Sequence, residues 1–280
     1  MTTRSSNCLL TALAAFFIFG NTTTYADALP VKEEPETQRH ALLIGLNYSW
    51  TLHPRISYAH HSTHRLGKEL LGYGYDSPYL LLGREASRDA IMNALEGVAS
   101  KCGANDELLV FFVGHGVRKI NKDGSRVHAL IPADCSEHTP SDELLFTRDV
   151  VRVLHGSPAR NTALLLSTCH SGQVIDDLTV IPWWDARGTD RTKPRSFSVF
   201  AASSPTQLAF GNETETSGFF FDALIDGMRE IAPEHADVVS AGDLQGHIQK
   251  YLRQKTQGQQ KPQFAQFGPN EFQFVRNIVR

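Results

Sequence analysis

The chain has 280 residues, 41% of them hydrophobic and 20% charged, enough apolar material to bury one large core. Lys, Arg, Asp and Glu are interspersed and sum to a formal net charge of −3. That leaves no basic stripe to neutralise nucleic-acid phosphates and no polybasic tail to hold an anionic membrane surface, so nucleic acid is excluded as an expected partner.

The first segment differs in kind from the rest. Arg4 supplies a positive start, Cys8 to Phe19 form an apolar run, and Ala26-Asp27-Ala28 offers a small-residue cleavage site. Residues 1–28 are therefore expected to be a signal peptide, and the mature protein to be periplasmic or secreted. The apolar run is too short to span a ~30 Å hydrocarbon core, and no later segment is long and apolar enough, so stable membrane insertion is not expected. Residues 29–38, rich in Pro and Glu, lead into a single domain expected over residues 39–280.

Removing the leader takes Cys8 and leaves Cys102, Cys135 and Cys169, an odd number in a compartment that tolerates disulfides. Either Cys102 pairs with Cys135 and Cys169 stays free, or all three are reduced; both alternatives stay open. No Cys/His spacing suits zinc, and neither a metal nor a cofactor is expected.

Along the domain, short continuous apolar runs read as buried parallel strands: His40 to Gly45, Tyr79 to Leu82, Glu107 to Val113, Thr162 to Ser167 and Phe197 to Ala202. Helical periods lie between and after them. They are carried by Leu66, Leu70 and Leu71; by Ala90 to Val98 after a cap at Ser87; by Val150, Val151 and Leu154; and by Phe219 to Ile231 and Leu244 to Leu252. Strands alternating with helices predict an α/β fold with a mostly parallel sheet covered on both faces. Residues 181–194, with Trp183, Trp184, two prolines and many charges, read as a long loop.

Two of these strands end in reactive residues. Glu107 to Val113 runs into Gly114-His115-Gly116, and Thr162 to Ser167 into Thr168-Cys169-His170-Ser171-Gly172. Carboxyl ends of strands line the crevice of an open α/β sheet, and neighbouring strands are only ~5 Å apart. An imidazole beside a thiol is what thiol catalysis needs: imidazolium favours the thiolate, and a group titrating near neutrality can carry the proton to a leaving amine. Gly116 and Gly172 would let backbone approach the substrate, and the N–H groups of Gly116 and Cys169 would face a developing oxyanion. The His precedes the Cys by 54 positions, close to the ~50 of caspase-type chains.

HALLIGLNY, LLVFFVGHG, LLLSTCHSG, FSVFAASSPTQLAF and SGFFFDALIDGM, in this order, with GQQKPQFAQFG before a final FQF, resemble the bacterial caspase-like and metacaspase peptidases of the caspase-domain family. The resemblance implies a caspase-like three-layer sandwich around a mostly parallel six-stranded sheet. It implies a Cys169/His115 dyad, an oxyanion hole from Gly116 and Cys169, and endopeptidase activity on a protein or peptide substrate. Self-association is left open.

Departures from the family pattern concern specificity. Relatives that cut after Arg or Lys carry Asp two places before the nucleophile, Ser two places before the His, and Cys-x-Asn-Asp at the start of the first helix. Here Ser167, Val113 and the stretch Ala59, His61, Ser62 stand there. A cationic side chain in a pocket of Ala59, Ser62, Val113 and Ser167 would be desolvated without a partner, so a strong preference for Arg or Lys is not expected. Asp176 or Asp177 could supply a carboxylate from elsewhere. Ser203 and Ser204 are expected along the substrate groove, and Ser62 reads as a helix cap. The cluster His53, His60, His61 and His64 has few acidic partners and is expected to be solvated or pocket-lining rather than metal-binding. Asp123 and Asp134 lack the dense acidic loop of a calcium site. A catalytically silent module that binds peptides or partners is the alternative to the enzyme.

Overall fold

The computed structural model describes residues 37–50, 53–121, 123–135, 139–140, 143–179, 195–212, 216–234 and 238–276. The leader, most of the lead-in segment, and residues 180–194 with Trp183 and Trp184 lie outside them. In chain order the elements are β1 (Arg39–Gly45), α1 (Ala59–Gly72), β2 (Tyr79–Leu82), α2 (Arg88–Lys101), β3 (Glu107–Val113), β4 (Gly116–Ile120), β5 (Arg126–Leu130) and β6 (Leu145–Phe146). Then come α3 (Thr147–Gly156), β7 (Asn161–Ser167), α4 (Gln173–Thr179), β8 (Ser196–Ala201), α5 (Phe219–Glu234), β9 (Val238–Ser240), α6 (Ala241–Lys255), β10 (Gln263–Phe267) and β11 (Gln273–Arg276).

Six strands form one sheet in the order β10-β8-β7-β3-β1-β2. The first five in sequence are parallel and β10 runs antiparallel on the edge. Every residue of β3, β7 and β8 is buried, which is why these strands read as unbroken apolar runs rather than alternating ones. Side chains still alternate between faces. Leu42, Ile44, Val110, Phe112, Leu164 and Leu166 pack with α2, α3 and α4, whereas Leu43, Leu109, Phe111, Val113, Ala163 and Leu165 pack with α1, α5 and α6. The result is the three-layer, mostly parallel α/β sandwich expected. No helix among the described residues is long and apolar enough to cross a membrane.

Between β1 and β3 the order of connection reverses: the chain leaves β1 for β2 on one side and returns past β1 to β3 on the other. The segments that follow the two strands leave in opposite directions at such a point and open a crevice beyond the carboxyl ends.

Several elements differ from the sequence expectation. A three-stranded antiparallel sheet, β4-β5-β6, and the β9-β11 ribbon were not anticipated. The helix expected around Leu66 begins at Ala59, with Tyr58 as N-cap, so Ser62 lies inside α1 rather than capping it. The Cys102–Cys135 pairing falls. Cys102 follows the carboxyl end of α2, whereas Asp134, next to Cys135, accepts the N–H of Arg88 at its start, 3.0 Å away. The 14 residues of α2 span about 21 Å at ~1.5 Å each, far beyond the ~7 Å Cα separation a disulfide allows. All three domain cysteines are free.

Candidate active site

Strands β3 and β7 pair in parallel with Val113 opposite Ser167. His115 and Cys169 each lie two residues further on, so strands ~4.8 Å apart deliver imidazole and thiol to neighbouring places at the crevice. Gly116 is held against the nucleophile segment. A Cβ there would lie 2.6 Å from the Cys169 carbonyl, 2.6 Å from Nε2 of His128 and 2.7 Å from Oγ1 of Thr168, so the approach needs a glycine.

The His115 ring is oriented from two directions. Nε2 donates to the Pro54 carbonyl at 2.6 Å; a carbonyl only accepts, so Nε2 carries the proton and Nδ1 is the nitrogen free to take one. The backbone N–H of His115 donates to the Tyr48 hydroxyl at 3.0 Å, and that hydroxyl donates to the Ile131 carbonyl at 2.6 Å. The Tyr48 ring lies 4.4 Å from the imidazole, centroid to centroid. Burial holds His115 below its ordinary 6.5; the Pro54 carbonyl works against this, and the neighbouring His53 adds to it.

Cys169 Sγ accepts the N–H of Ala209 at 3.5 Å. Burial pushes the thiol above its ordinary 9.0, and the Ala209 N–H offsets part of that rise. Among the described residues Sγ and the His115 ring share no hydrogen bond. Burial thus disfavours the charged form of both groups. Apo sites of this kind are commonly loose and tighten on substrate.

Backbone around the thiol is clamped on both sides. The Thr168 carbonyl accepts the Ser203 hydroxyl at 3.2 Å, the Cys169 carbonyl accepts Nε2–H of His128 at 3.1 Å, and the His170 N–H donates to the Gln207 carbonyl at 2.9 Å. His170 itself has φ +59°, a left-handed conformation that a non-glycine residue adopts only when its surroundings impose it. Its Nδ1 donates to the Pro205 carbonyl at 3.0 Å.

Ala59, Ser62 and Val113 are fully buried, and Ser167, two residues beyond Leu165 on the same strand face, is nearly so. All four belong to the α1–α5 side of the sheet, and Oγ of Ser62 is buried without a hydrogen-bond partner. Other expected site residues stand elsewhere. Ser203 has no exposed surface and faces the Thr168 carbonyl rather than an open groove, while Ser204 is half-buried. Gly172 packs against Gln263 and the Ser203 carbonyl, the latter 2.8 Å from where its Cβ would be, which leaves no room for a side chain. Asp177 is buried, accepts the backbone N–H of His128 at 3.0 Å and the Gln173 amide at 3.2 Å, and offers nothing to the pocket; Asp176 is exposed. Asp222, at the start of α5, pairs with Arg65 at 3.6 Å and accepts the Ser217 hydroxyl. Asp123 closes the β4–β5 turn on Ser125 and Asp134 caps α2. Among the described residues no three or more His, Cys, Asp or Glu side chains are grouped to hold a metal ion.

Tyr48, Pro54, His128 and Ala209 were not singled out from the sequence. Tyr48 was within reach, being the last residue of the HALLIGLNY stretch just past β1. The others act through backbone atoms or from distant positions that carry no local pattern.

The family model of the caspase domain matches residues 38–272. The chain belongs to the caspase-domain family. No curated protein sequence matches it significantly. Among solved structures it is similar to the protein GSU0716 of Geobacter sulfurreducens, a crystal structure with 16% identity and a TM-score of 0.62, covering 86% of this chain and 98% of that one. At that identity the likeness concerns the fold alone. Membership of the caspase-domain family points to a cysteine-peptidase type of function with protein substrates.

Proposed function

We propose that this caspase-domain protein is an active cysteine endopeptidase with Cys169 as nucleophile and His115 as its base. One observation carries the proposal: the β3–β7 register sets His115 and Cys169 equally far beyond a paired position, with Gly116 pressed against the Cys169 carbonyl. In the proposed reaction Nδ1 of His115 takes the thiol proton as Sγ bonds to the scissile carbonyl carbon. The N–H groups of Gly116 and Cys169 face the oxyanion. The same proton passes to the leaving amine as the C–N bond breaks. Water, deprotonated by His115, then attacks the thioester and releases the acid, restoring the thiol.

The family's side-chain pocket before the scissile bond falls at Ala59, Ser62, Val113 and Ser167, four uncharged positions buried in the free protein, and on that ground we read it as opening to neutral groups. Supporting this, Asp177 is committed to His128 and Gln173, and Asp222 already faces Arg65. The rival, a silent peptide-binding module, draws on the burial that raises the thiol above its ordinary range. Hydrolysis of a peptide library separates the two. Cleavage is expected, without a strong excess of Arg or Lys before the cut, abolished in Cys169→Ala and lowered by about 10²–10⁴ in His115→Ala. Cleavage surviving in Cys169→Ala overturns the assignment. A ratio of kcat/KM above about 100 for Arg over a matched neutral peptide overturns the uncharged pocket.

Export belongs to the same proposal, on the strength of Arg4, the Cys8–Phe19 run and Ala26-Asp27-Ala28, with residues 39–280 as the peptidase domain. N-terminal sequencing of the mature protein is expected to start near Leu29; a mature protein that retains residues 5–20 contradicts it.

A further inference from the structure

His128 stands on β5, in the small antiparallel sheet, 41 residues before the nucleophile and outside the dyad. Its side chain is fully buried, and Nε2 lies 3.1 Å from the Cys169 carbonyl and 3.5 Å from the Thr168 hydroxyl. Since the carbonyl can only accept, Nε2 carries the proton. Nδ1 is then a bare lone pair, buried with no hydrogen-bond partner. Leaving a buried acceptor unpaired is unfavourable, so stability alone gives no reason for an imidazole here. What the ring does contribute is its bond to the nucleophile's own peptide group.

That peptide group needs holding. It follows the Cys169 Cα and precedes His170, whose φ of +59° has to be imposed from outside. The Gln207 carbonyl takes its N–H, the His128 ring takes its oxygen, and Gly116 packs against both members of that second bond. The two N–H groups proposed for the oxyanion hole, on Gly116 and Cys169, are therefore set by structure that meets at the His128–Cys169 bond. His128 is itself fixed through its backbone: its N–H donates to Asp177 of α4 at 3.0 Å, and its carbonyl accepts the Thr147 hydroxyl of α3 at 3.1 Å.

We infer that His128 is a positioning residue for Cys169, holding the nucleophile's carbonyl so that the Cys169 and Gly116 N–H groups converge on the oxyanion. The inference rests on the peptidase function proposed above. It acts on the tetrahedral state rather than on ground-state binding or on the nucleophilicity of the thiol. A displaced donor at a reacting centre typically lowers the rate by about 10²-fold.

The test uses acetyl-Leu-Leu-norleucinal, a neutral peptide aldehyde that forms a thiohemiacetal and places an oxygen in the oxyanion hole, together with iodoacetamide, which needs no such hole. In His128→Leu, kcat is expected to fall by about 10- to 100-fold with KM within roughly threefold of wild type. The aldehyde inhibition constant should rise by the same factor, while Cys169 alkylation by iodoacetamide at pH 7 stays within roughly twofold. His128→Gln, whose amide can still donate to the carbonyl, should recover most of the loss. If the leucine variant does not fold, His128→Met serves in its place. Unchanged aldehyde affinity in the apolar variant, or a glutamine variant no better than it, overturns the inference while leaving the peptidase intact. A wild-type protein that binds the aldehyde no better than Cys169→Ala overturns the peptidase assignment, and the inference with it.

Discussion

Burial shifts Cys169, His115 and His128 away from their charged forms, and at His128 the effect is large enough to be read in the stability of the whole protein. Burial brings this imidazole down from 6.5 to about 4, with the Cys169 carbonyl opposing the fall and His170 adding to it. Between those values the unfolded chain binds a proton that the folded one refuses, so this group's contribution to stability rises with pH from 4 to 6.5 and is lost as pH falls through the same window. At ~1.4 kcal/mol per pH unit the contribution is about 3 kcal/mol. Asp177 works the other way: burial pushes it up from 3.8 to about 6, so the folded state holds a proton there and loses stability as pH rises through that range. The two nearly cancel in the wild-type curve. Urea unfolding of wild type and His128→Gln at pH 4.5 and 7 separates them. The variant is expected to gain about 2–3 kcal/mol relative to wild type on going to the acid condition; an equal pH dependence in the two proteins contradicts the buried neutral imidazole.

The proposed dyad, His115 and Cys169, could be picked out from the sequence because each follows the end of a buried apolar run with glycine close by and the two lie 54 positions apart. His128 could not, since RVHAL reads as an ordinary half-polar stretch and the meaning of its histidine depends on a carbonyl 41 residues away. Pro54 likewise acts through its backbone oxygen, to which sequence identity gives no clue.

At the scale of elements, the five parallel strands appeared in the sequence within a residue or so of their observed ends because four of them are buried along nearly their whole length and the edge strand β2 is a run of apolar residues. β4, β5 and β6 escaped for the converse reason: GVRKI and RVHAL are short and carry charges, and LF has only two residues, so neither continuity nor clean alternation marks them. Ser240 and Ser62 show how the same residue type misleads. Ser240 caps α6 in a full capping box, its hydroxyl accepting the Asp243 N–H while the Asp243 carboxylate accepts the Ser240 N–H at 2.9 Å. Ser62 is interior to α1, because the chain turns at Tyr58, a ring packed against Gly211 and Gly218. Ser240→Ala is expected to destabilise the protein by about 1 kcal/mol. Ser62→Ala should be neutral or slightly stabilising, since its buried hydroxyl has no hydrogen-bond partner to lose. Denaturant midpoints of the two variants check the contrast; a larger loss at Ser62 contradicts the placement of α1.

Over the whole molecule the sheet is anchored at one end and open to chemistry at the other. At the amino ends of β1 and β3, buried Arg39 donates to Glu107 at 3.0 Å, to the Tyr73 carbonyl at 2.8 Å and to the Tyr75 hydroxyl at 3.0 Å, and Arg276 of β11 joins the same carboxylate at 2.9 Å. At the carboxyl ends, beside the topological switch, lie the thiol, the imidazole and the unpaired buried atoms of Ser62 and His128. The most direct test of the Cys169/His115 assignment is intact-mass labelling of the mature protein with a neutral peptidyl acyloxymethyl ketone across pH 5 to 8. One adduct on Cys169 is expected, formed faster as pH rises through a limb that lies below 6.5, where burial holds His115, and slowed at least 100-fold in His115→Ala. Labelling at the same rate with and without the His115 imidazole, or an adduct on Cys102 or Cys135 instead, contradicts it.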